Sequence, residues 1–325
     1  MARVMRDERM SRAFFARFKA RFAHATIPSL YKVADWSKPP TFKPTTPKTE
    51  GTKETLDEAA KFYSHLFQPK PSEDANELLS LLAEKQISHE DRKFCDKPFS
   101  ETELRASIRS MALAKSPGPD LIPAEFYKYF EDSLADPLLN AITEMMEKGD
   151  LSASFLEGDI ALIYKKKDPS DIRNYRPITC LNADYKAMTK MIVARLARTL
   201  DSIIDEAQKG FVPKRLIHEN IYLSQLIQSY LKETDQEGLM IALDMEKAFD
   251  RCSWDYLLAS MKALGFGPRM CNTIRTIYNQ HNPPTRRIRM GGTHSAPFTI
   301  NSGVPQGCPG SPVLFLCITE GMSRL

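Results

Sequence analysis

The chain has 325 residues, 42% of them hydrophobic and 26% charged, with a formal net charge of +4 at pH 7. Those proportions exclude wholesale disorder, a collagen-like repeat and a disulfide-dense miniature fold, and the length suits about two domains. The longest apolar run, Val313 to Ile318, falls far short of the ~20 residues that a membrane-spanning helix requires, so no membrane partner is expected.

Charge is unevenly spread. Residues 1–24 carry Arg3, Arg6, Arg9, Arg12, Arg17, Lys19 and Arg21 against only Asp7 and Glu8, and further basic clusters lie at Lys165 to Lys167 and Arg286 to Arg289. Such clusters suit a phosphate backbone. An Arg-rich start also suits a mitochondrial presequence, against which Asp7 and Glu8 and the scarcity of Ser argue. The six cysteines show neither a CxxC pair nor zinc spacing, which reads as reduced structural thiols in an intracellular protein, nuclear or cytoplasmic.

In chain order, the first third reads as helices broken by the proline-rich stretches Pro39 to Pro47 and Pro69 to Pro71, with Leu56, Ala60, Tyr63 and Phe67 at helical spacing between them. The tract KSPGPD from Lys115 is a turn cluster, and Leu138, Ile142, Met145 and Met146 mark a helix after it. Ile160 to Tyr164 reads as a strand. Met188, Met191, Ile192, Leu196, Leu200 and Ile203 trace one helical stripe, and Leu223, Leu226, Ile227, Tyr230 and Leu231 trace a second; both are expected to be core. Leu239 to Leu243 is an apolar run ending abruptly at Asp244, the pattern of a strand covered on both faces. Ser253 is placed to cap a helix bearing Trp254, Leu257, Leu258, Met261 and Leu264. Arg286 to Met290 and Pro297 to Ile300 read as strands around the Gly291-Gly292 turn, with a helix from about Ser311. Helices and strands without strict alternation give the α+β class.

A lone carboxylate at a strand end, such as Asp244, is more often a turn former or helix cap than a catalyst. Its setting in LDMEKAFD points further, because phosphoryl-transfer chemistry needs hard oxygen ligands for divalent metal and donors aimed at charged oxygens.

Five blocks in order, KSPGPDLIPAEFYK, IALIYKKKDPSDIRNYRPITCLN, QKGFVPKR, IALDMEKAFD and GVPQGCPGSP, resemble the reverse transcriptases of non-LTR (LINE-type) retrotransposons. SRAFFARFKARF and AAKFYSHLF are similar to the stretch before the polymerase in that family. The resemblance implies an α+β right-hand polymerase: fingers with a partial palm, preceded by a mainly helical N-terminal extension. It divides the chain into a proline-interrupted linker region, 1–99, and a reverse transcriptase domain, 100–325, with fingers at about 100–236 and 265–302 and partial palm at about 237–264 and 303–325. The implied activity is RNA-directed DNA polymerisation by two-metal nucleotidyl transfer, with Mg²⁺ as cofactor and an RNA template, a DNA primer and deoxynucleoside triphosphates as partners.

Carried over residue by residue, Asp244 matches the family's first metal-binding aspartate, with the Met245 carbonyl as a second oxygen ligand. Lys165, Lys166 and Arg176 match residues that approach the triphosphate, and Phe249 matches the bulky residue beneath the incoming sugar. Gln306 and Gly307 match the block on the template and incoming base. Gly210, Phe211, Pro213 and Arg215 match a template-contacting segment, and Arg286, Arg287 and Arg289 are candidates for phosphate contact or a merely solvated strand face. Asp250 matches no metal ligand and is expected to satisfy amides of the following helix. The chain departs from the pattern at Pro305, Gly310 and Leu121, where Arg, Leu and Gly are usual in the family.

The family's Tyr-x-Asp-Asp turn is not among the 325 residues, and no Asp-Asp pair occurs. The expectation is therefore a fragment with an incomplete metal site, inactive alone. Group II intron maturases and telomerase-like polymerases are rival enzyme readings, against which FYSHLF and YRPITCLN favour the LINE lineage. A non-catalytic nucleic-acid-binding remnant is the rival of a different class.

Overall fold

A computed structural model describes residues 27–71 and 74–325. The N-terminal arginines and the presequence reading lie outside the described residues.

Twelve α-helices among the described residues surround one sheet. The first six are α1 (Gly51–Leu66), α2 (Asn76–Glu84), α3 (His89–Cys95), α4 (Glu101–Arg109), α5 (Ala124–Tyr129) and α6 (Glu131–Lys148). They are followed by α7 (Ala153–Leu156), α8 (Ala183–Ile203), α9 (Ile217–Glu233), α10 (Trp254–Ala263), α11 (Pro268–Ile277) and α12 (Ser311–Ser323). Local chemistry explains several of the ends. Ser100 and Glu103 form a reciprocal capping box at α4, the Ser253 hydroxyl accepts from the Tyr256 amide at α10, and Gly149 stops α6 with φ of +70°.

The sheet comprises β1 (Glu157–Tyr164), β2 (Tyr175–Cys180), β3 (Thr285–Met290), β4 (Thr293–His294) and β5 (Phe298–Thr299), in the order β2-β1-β3-β4 with β5 also on β3. β1 runs antiparallel to β2, with Asp159 opposite Cys180 and Tyr164 opposite Tyr175, and parallel to β3, with Ile160 opposite Ile288. Met290 faces Thr293 across Gly291 and Gly292, whose φ values of +58° and +81° give the positive-φ pair that a two-residue hairpin turn requires. The architecture is a mixed sheet with many helices, as the α+β class expects.

The core gathers around α8, which packs against α3, α4, α5 and α12. The stripe Met188, Met191, Ile192, Leu196, Leu200 and Ile203 is buried to 2% exposure or less. Arg195, on the same helix and 3% exposed, donates two bonds to the Glu103 carboxylate at 2.7 and 2.8 Å. The carbonyls of Cys95, Lys97 and Pro98 take its remaining donors. All six cysteines are free and buried, and burial pushes Cys95 up to about 11 and Cys252 and Cys317 to about 12, so these three thiols stay protonated. Leu121, standing where the resembled family has Gly, adopts φ of +62°, the left-handed conformation that explains a glycine preference there.

Two expectations are corrected. The second apolar stripe does form a helix, α9, but none of its residues is buried: Leu223, Leu226, Ile227 and Tyr230 are 48–58% exposed. Leu239 to Leu243 is not a strand, and Leu239, Met240, Ile241 and Leu243 are 63–88% exposed. Periodicity selects a conformation, whereas burial and a β-ladder each need a second element, and none of the described elements covers either segment.

Candidate functional site

Strand β2 is the element on which the expected nucleotide residues converge. Its hairpin with β1 closes through the Lys165 amide, which donates to the Asn174 carbonyl at 2.9 Å, and the loop between is braced by Asp168, which accepts from the Ser170 amide and the Tyr31 hydroxyl at 2.8 Å each. Lys165, Lys166 and Arg176 are all exposed, with Arg176 opposite Ile163 near the loop end of the hairpin. Cations on a braced hairpin tip can approach a polyanion without first being extracted from the protein.

The residues after Asp244 approach β2 from another side. Lys247 sits at φ of +54°, donates from Nζ to the Tyr175 carbonyl at 3.1 Å and lies 5.8 Å from the centre of the Phe62 ring. Burial holds its ammonium below the ordinary lysine value. Its carbonyl accepts from the Asp250 and Arg251 amides at 2.9 and 3.1 Å, coiling the chain into a single 3₁₀ turn, Ala248–Arg251. Within that turn Phe249 stacks on Phe315 of α12, centroids 4.5 Å apart and planes at 19°, and meets the edge of Phe211 at 6.4 Å. The ring is half-buried.

The block Gly303 to Gly307 is joined to both. Val304 and Gly303 donate to the Phe249 and Cys252 carbonyls at 2.8 Å each, and the Trp254 indole donates to the Gly303 carbonyl at 2.8 Å. A Cβ on Gly303 would stand 2.7 Å from the Asp250 carbonyl oxygen, and one on Gly307 would stand 2.4 Å from that of Thr179. Gly is therefore required at both by close approach as well as by positive φ. The Gln306 carbonyl accepts from the Thr179 amide of β2 at 2.6 Å, while its side-chain Nε2 donates to Asp250 Oδ1 at 3.0 Å.

Asp250 departs from the helix-capping expectation. Its carboxylate is 1% exposed and bonds to Gln306, while the cap of α10 is Ser253. Burial pushes its pKa up to about 6, opposed by the Gln306 hydrogen bond and the positive charges of Lys247 and Arg251.

Asp244 and Met245 are both exposed, on irregular backbone. Among the described residues no group of three or more His, Cys, Asp or Glu side chains could hold a metal ion. Asp244 with the Met245 carbonyl offers one carboxylate and one neutral oxygen, too few hard ligands to fit the two-metal site that the resemblance implies.

The three arginines of β3 separate by strand alternation. Arg286 faces inward at 3% exposure and donates to the Leu156 and Thr285 carbonyls at 2.7 Å, so it is corrected from phosphate contact to core. Arg287 pairs with the buried Asp159 at 3.0 Å, and Arg289 is half-buried beside Cys180. Arg215 staples its own loop, donating to Asp201 Oδ1 at 3.0 Å and to the Gln208 and Ile204 carbonyls at 3.0 and 3.2 Å. Beside it Gly210 is half-buried, while Phe211 and Pro213 are exposed. Reading by motif missed Lys247, Thr179 and Phe315, whose contribution is a backbone carbonyl contact, a backbone amide and a ring. Of these only Phe315 left a signal, its place in the apolar run from Val313.

Residues 164–325 match the reverse transcriptase (RNA-dependent DNA polymerase) family. The uncharacterized 149 kDa protein of transposon TX1 from Xenopus laevis is 34% identical over 266 residues, which is 81% of this chain and 20% of that protein. The RNA-directed DNA polymerase from mobile element jockey of Drosophila melanogaster is 26% identical over 223 residues, 68% of this chain and 24% of that protein. The retrovirus-related Pol polyprotein from the type-2 retrotransposable element R2DM of the same fly is 24% identical over 257 residues, 79% and 23% of the respective chains. The chain belongs with the reverse transcriptases of non-LTR retrotransposons, a family of nucleotidyltransferases. It spans between a fifth and a quarter of the length of these curated relatives.

Proposed function

We propose that this chain is the nucleotide-gripping portion, fingers and part of the palm, of an RNA-directed DNA polymerase that extends a DNA primer on an RNA template. Lys165, Lys166 and Arg176 neutralise the triphosphate, the lysines as point charges and the arginine as a bidentate fork. Phe249 sits beneath the sugar, where its ring excludes a 2′-hydroxyl. Gln306 and Gly307 meet the base pair being formed, and Gly210, Phe211, Pro213, Arg287 and Arg289 line the path of the nucleic acid. Arg215 supports that path by holding its loop. The observation that carries the reading is the double tether of Gln306, to Thr179 of β2 and to Asp250 beside Phe249, because it draws three separated motifs to one strand.

The chemistry of transfer requires more oxygen ligands than Asp244 and Met245 supply, so no step of it is derived from these residues. That observation also favours a second reading, binding without catalysis by this chain alone. One experiment addresses both. Purified chain is titrated with dATP and Mg²⁺ and with single-stranded RNA, then assayed for primer extension. The expected result is nucleotide binding weakened by Arg176→Ala, RNA binding whose logarithm falls with log salt by about 0.7 per phosphate neutralised, and no extension. Affinity for RNA unchanged between low and physiological salt, or dATP affinity untouched by Arg176→Ala, overturns the proposal. Extension abolished by Asp244→Asn overturns the second reading.

A further inference from the structure

Asp250 is an expensive residue to keep where it is. It is 1% exposed, its Oδ1 takes a single hydrogen bond from Gln306, and its Oδ2 has no hydrogen-bond partner among the described residues. Buried carboxylates are ordinarily satisfied at both oxygens, and one held by a single side-chain amide stabilises less than a neutral residue of the same shape would. A purely architectural role at this point in the turn would be served better by Asn or Ser.

The chemistry of its one partner shows what the carboxylate supplies. The side-chain amide of Gln306 has a donor end and an acceptor end of nearly equal shape, exchanged by a half-turn about its last bond. A neutral neighbour such as Asn, which carries both kinds of group, satisfies either orientation. An ionised carboxylate accepts at both oxygens and donates at neither, so only the NH₂ end of Gln306 can face it. The backbone of Gln306 is fixed at the same time, by the Thr179 amide on its carbonyl and by the close approach of Gly307 to the Thr179 carbonyl oxygen. With the main chain anchored and the donor end committed to Asp250, the amide oxygen Oε1 is left at the opposite end of a half-exposed side chain.

We infer that Asp250 is a positioning residue that holds the Gln306 amide in one orientation, so that Gln306 presents its acceptor oxygen Oε1 to the bound nucleotide. The inference rests on the reading of Gln306 as a nucleotide contact. It assigns to that contact a polarity: the group recognised on the nucleotide is a donor, a hydroxyl or an amino hydrogen. Asp250 touches neither the nucleotide nor the reacting atoms and acts through Gln306 alone.

A double-mutant cycle on the full chain tests this, with dATP and Mg²⁺ as the probe and calorimetric titration as the measurement. Asp250→Asn keeps shape and hydrogen bonding but lets the amide turn over. Because apparent affinity scales with the fraction of molecules in the competent orientation, dATP should bind about two- to tenfold more weakly. Gln306→Leu removes the amide, and in that background Asp250→Asn should have no further effect. A structural role would instead make the two losses multiply, and that result overturns the inference, as does wild-type affinity in Asp250→Asn. Asp250→Ser, whose hydroxyl also both donates and accepts, gives the same reading should the Asn variant not fold. Absence of dATP binding by the wild-type chain overturns the functional reading and the inference together, whereas normal binding with an unresponsive Asp250 overturns the inference alone.

Discussion

At the scale of single residues, Asp250 also sets a pH dependence whose sign can be worked out. Burial raises its pKa from 3.8 in the ordinary carboxylate to about 6 in the folded chain. The folded state therefore binds its proton more tightly than the unfolded state, and stability falls as pH rises from about 4 through about 6. A shift of about two units corresponds to roughly 3 kcal/mol, an upper figure for a group that relaxes and takes in water. Asp184, pushed to about 6 by burial and by neighbouring Asp120, contributes a decline in the same window. Asp250→Asn removes one of these two contributions. It should raise unfolding free energy at pH 7.5 by about 1–3 kcal/mol while leaving stability at pH 4 nearly unchanged. Urea denaturation of both proteins at the two pH values checks this, and a variant no more stable than wild type at pH 7.5 removes the premise that the carboxylate is costly. A gain in stability beside a loss of nucleotide affinity is the pattern of a residue retained for binding rather than for folding.

At the scale of elements, α8 and α9 carry similar apolar stripes and meet different fates. In α8 each turn of the stripe packs on the core, and Arg195 adds its cluster of bonds to α4 and the preceding segment. α9 has no buried residue and is held mainly by its own backbone bonds. A helix of 17 residues supported in that way is marginal in water. Amide exchange should be slow across Met188 to Leu200 and faster by at least about tenfold across Leu223 to Tyr230, since local opening of α9 breaks no core contact. Equal protection in the two helices would mean that α9 is covered in solution.

The same contrast marks what was legible in the sequence. The helices α1, α6, α8, α9, α10 and α12, the β1 and β3 strands, the Gly291-Gly292 turn and the Ser253 cap follow from spacing and residue chemistry that act within a few positions. The strand expected at Leu239 to Leu243 did not form because an apolar run reports only that cover is needed, not that it is present. Strand alternation in β3 was readable in principle, since Arg286 and Arg287 must face opposite ways, but which face is inside depends on the register with β1. For the candidate site, motif singles out Lys165, Arg176 and Gln306 as expectations, while the Gln306–Asp250 bond joins positions 56 apart and has no local signature.

At the scale of the whole molecule, these two uncovered segments dominate the surface chemistry. Leu223, Leu226, Ile227 and Tyr230 on α9 and Leu239, Met240, Ile241 and Leu243 beyond it all stand open to solvent. They follow one another in the chain with only the turn after Glu233 between them. Each such side chain covered by another surface regains about 1.5–3 kcal/mol, so three or four of them supply roughly 5–10 kcal/mol, comparable with the affinity of a micromolar complex. Backbone groups of residues 239–243 that are in no ladder add unpaired donors and acceptors that a neighbouring chain can match. The expected outcome is self-association of the purified chain at micromolar concentration, with binding of a hydrophobic dye, and relief of both by the paired substitution Leu226→Lys with Ile241→Lys. Analytical ultracentrifugation with dye fluorescence measures this directly. A monodisperse, dye-silent monomer would require that another part of the chain lies over α9 and residues 239–243 in solution. The same variants would then lose stability instead of gaining solubility, so the sign of their effect separates an exposed face from a covered one.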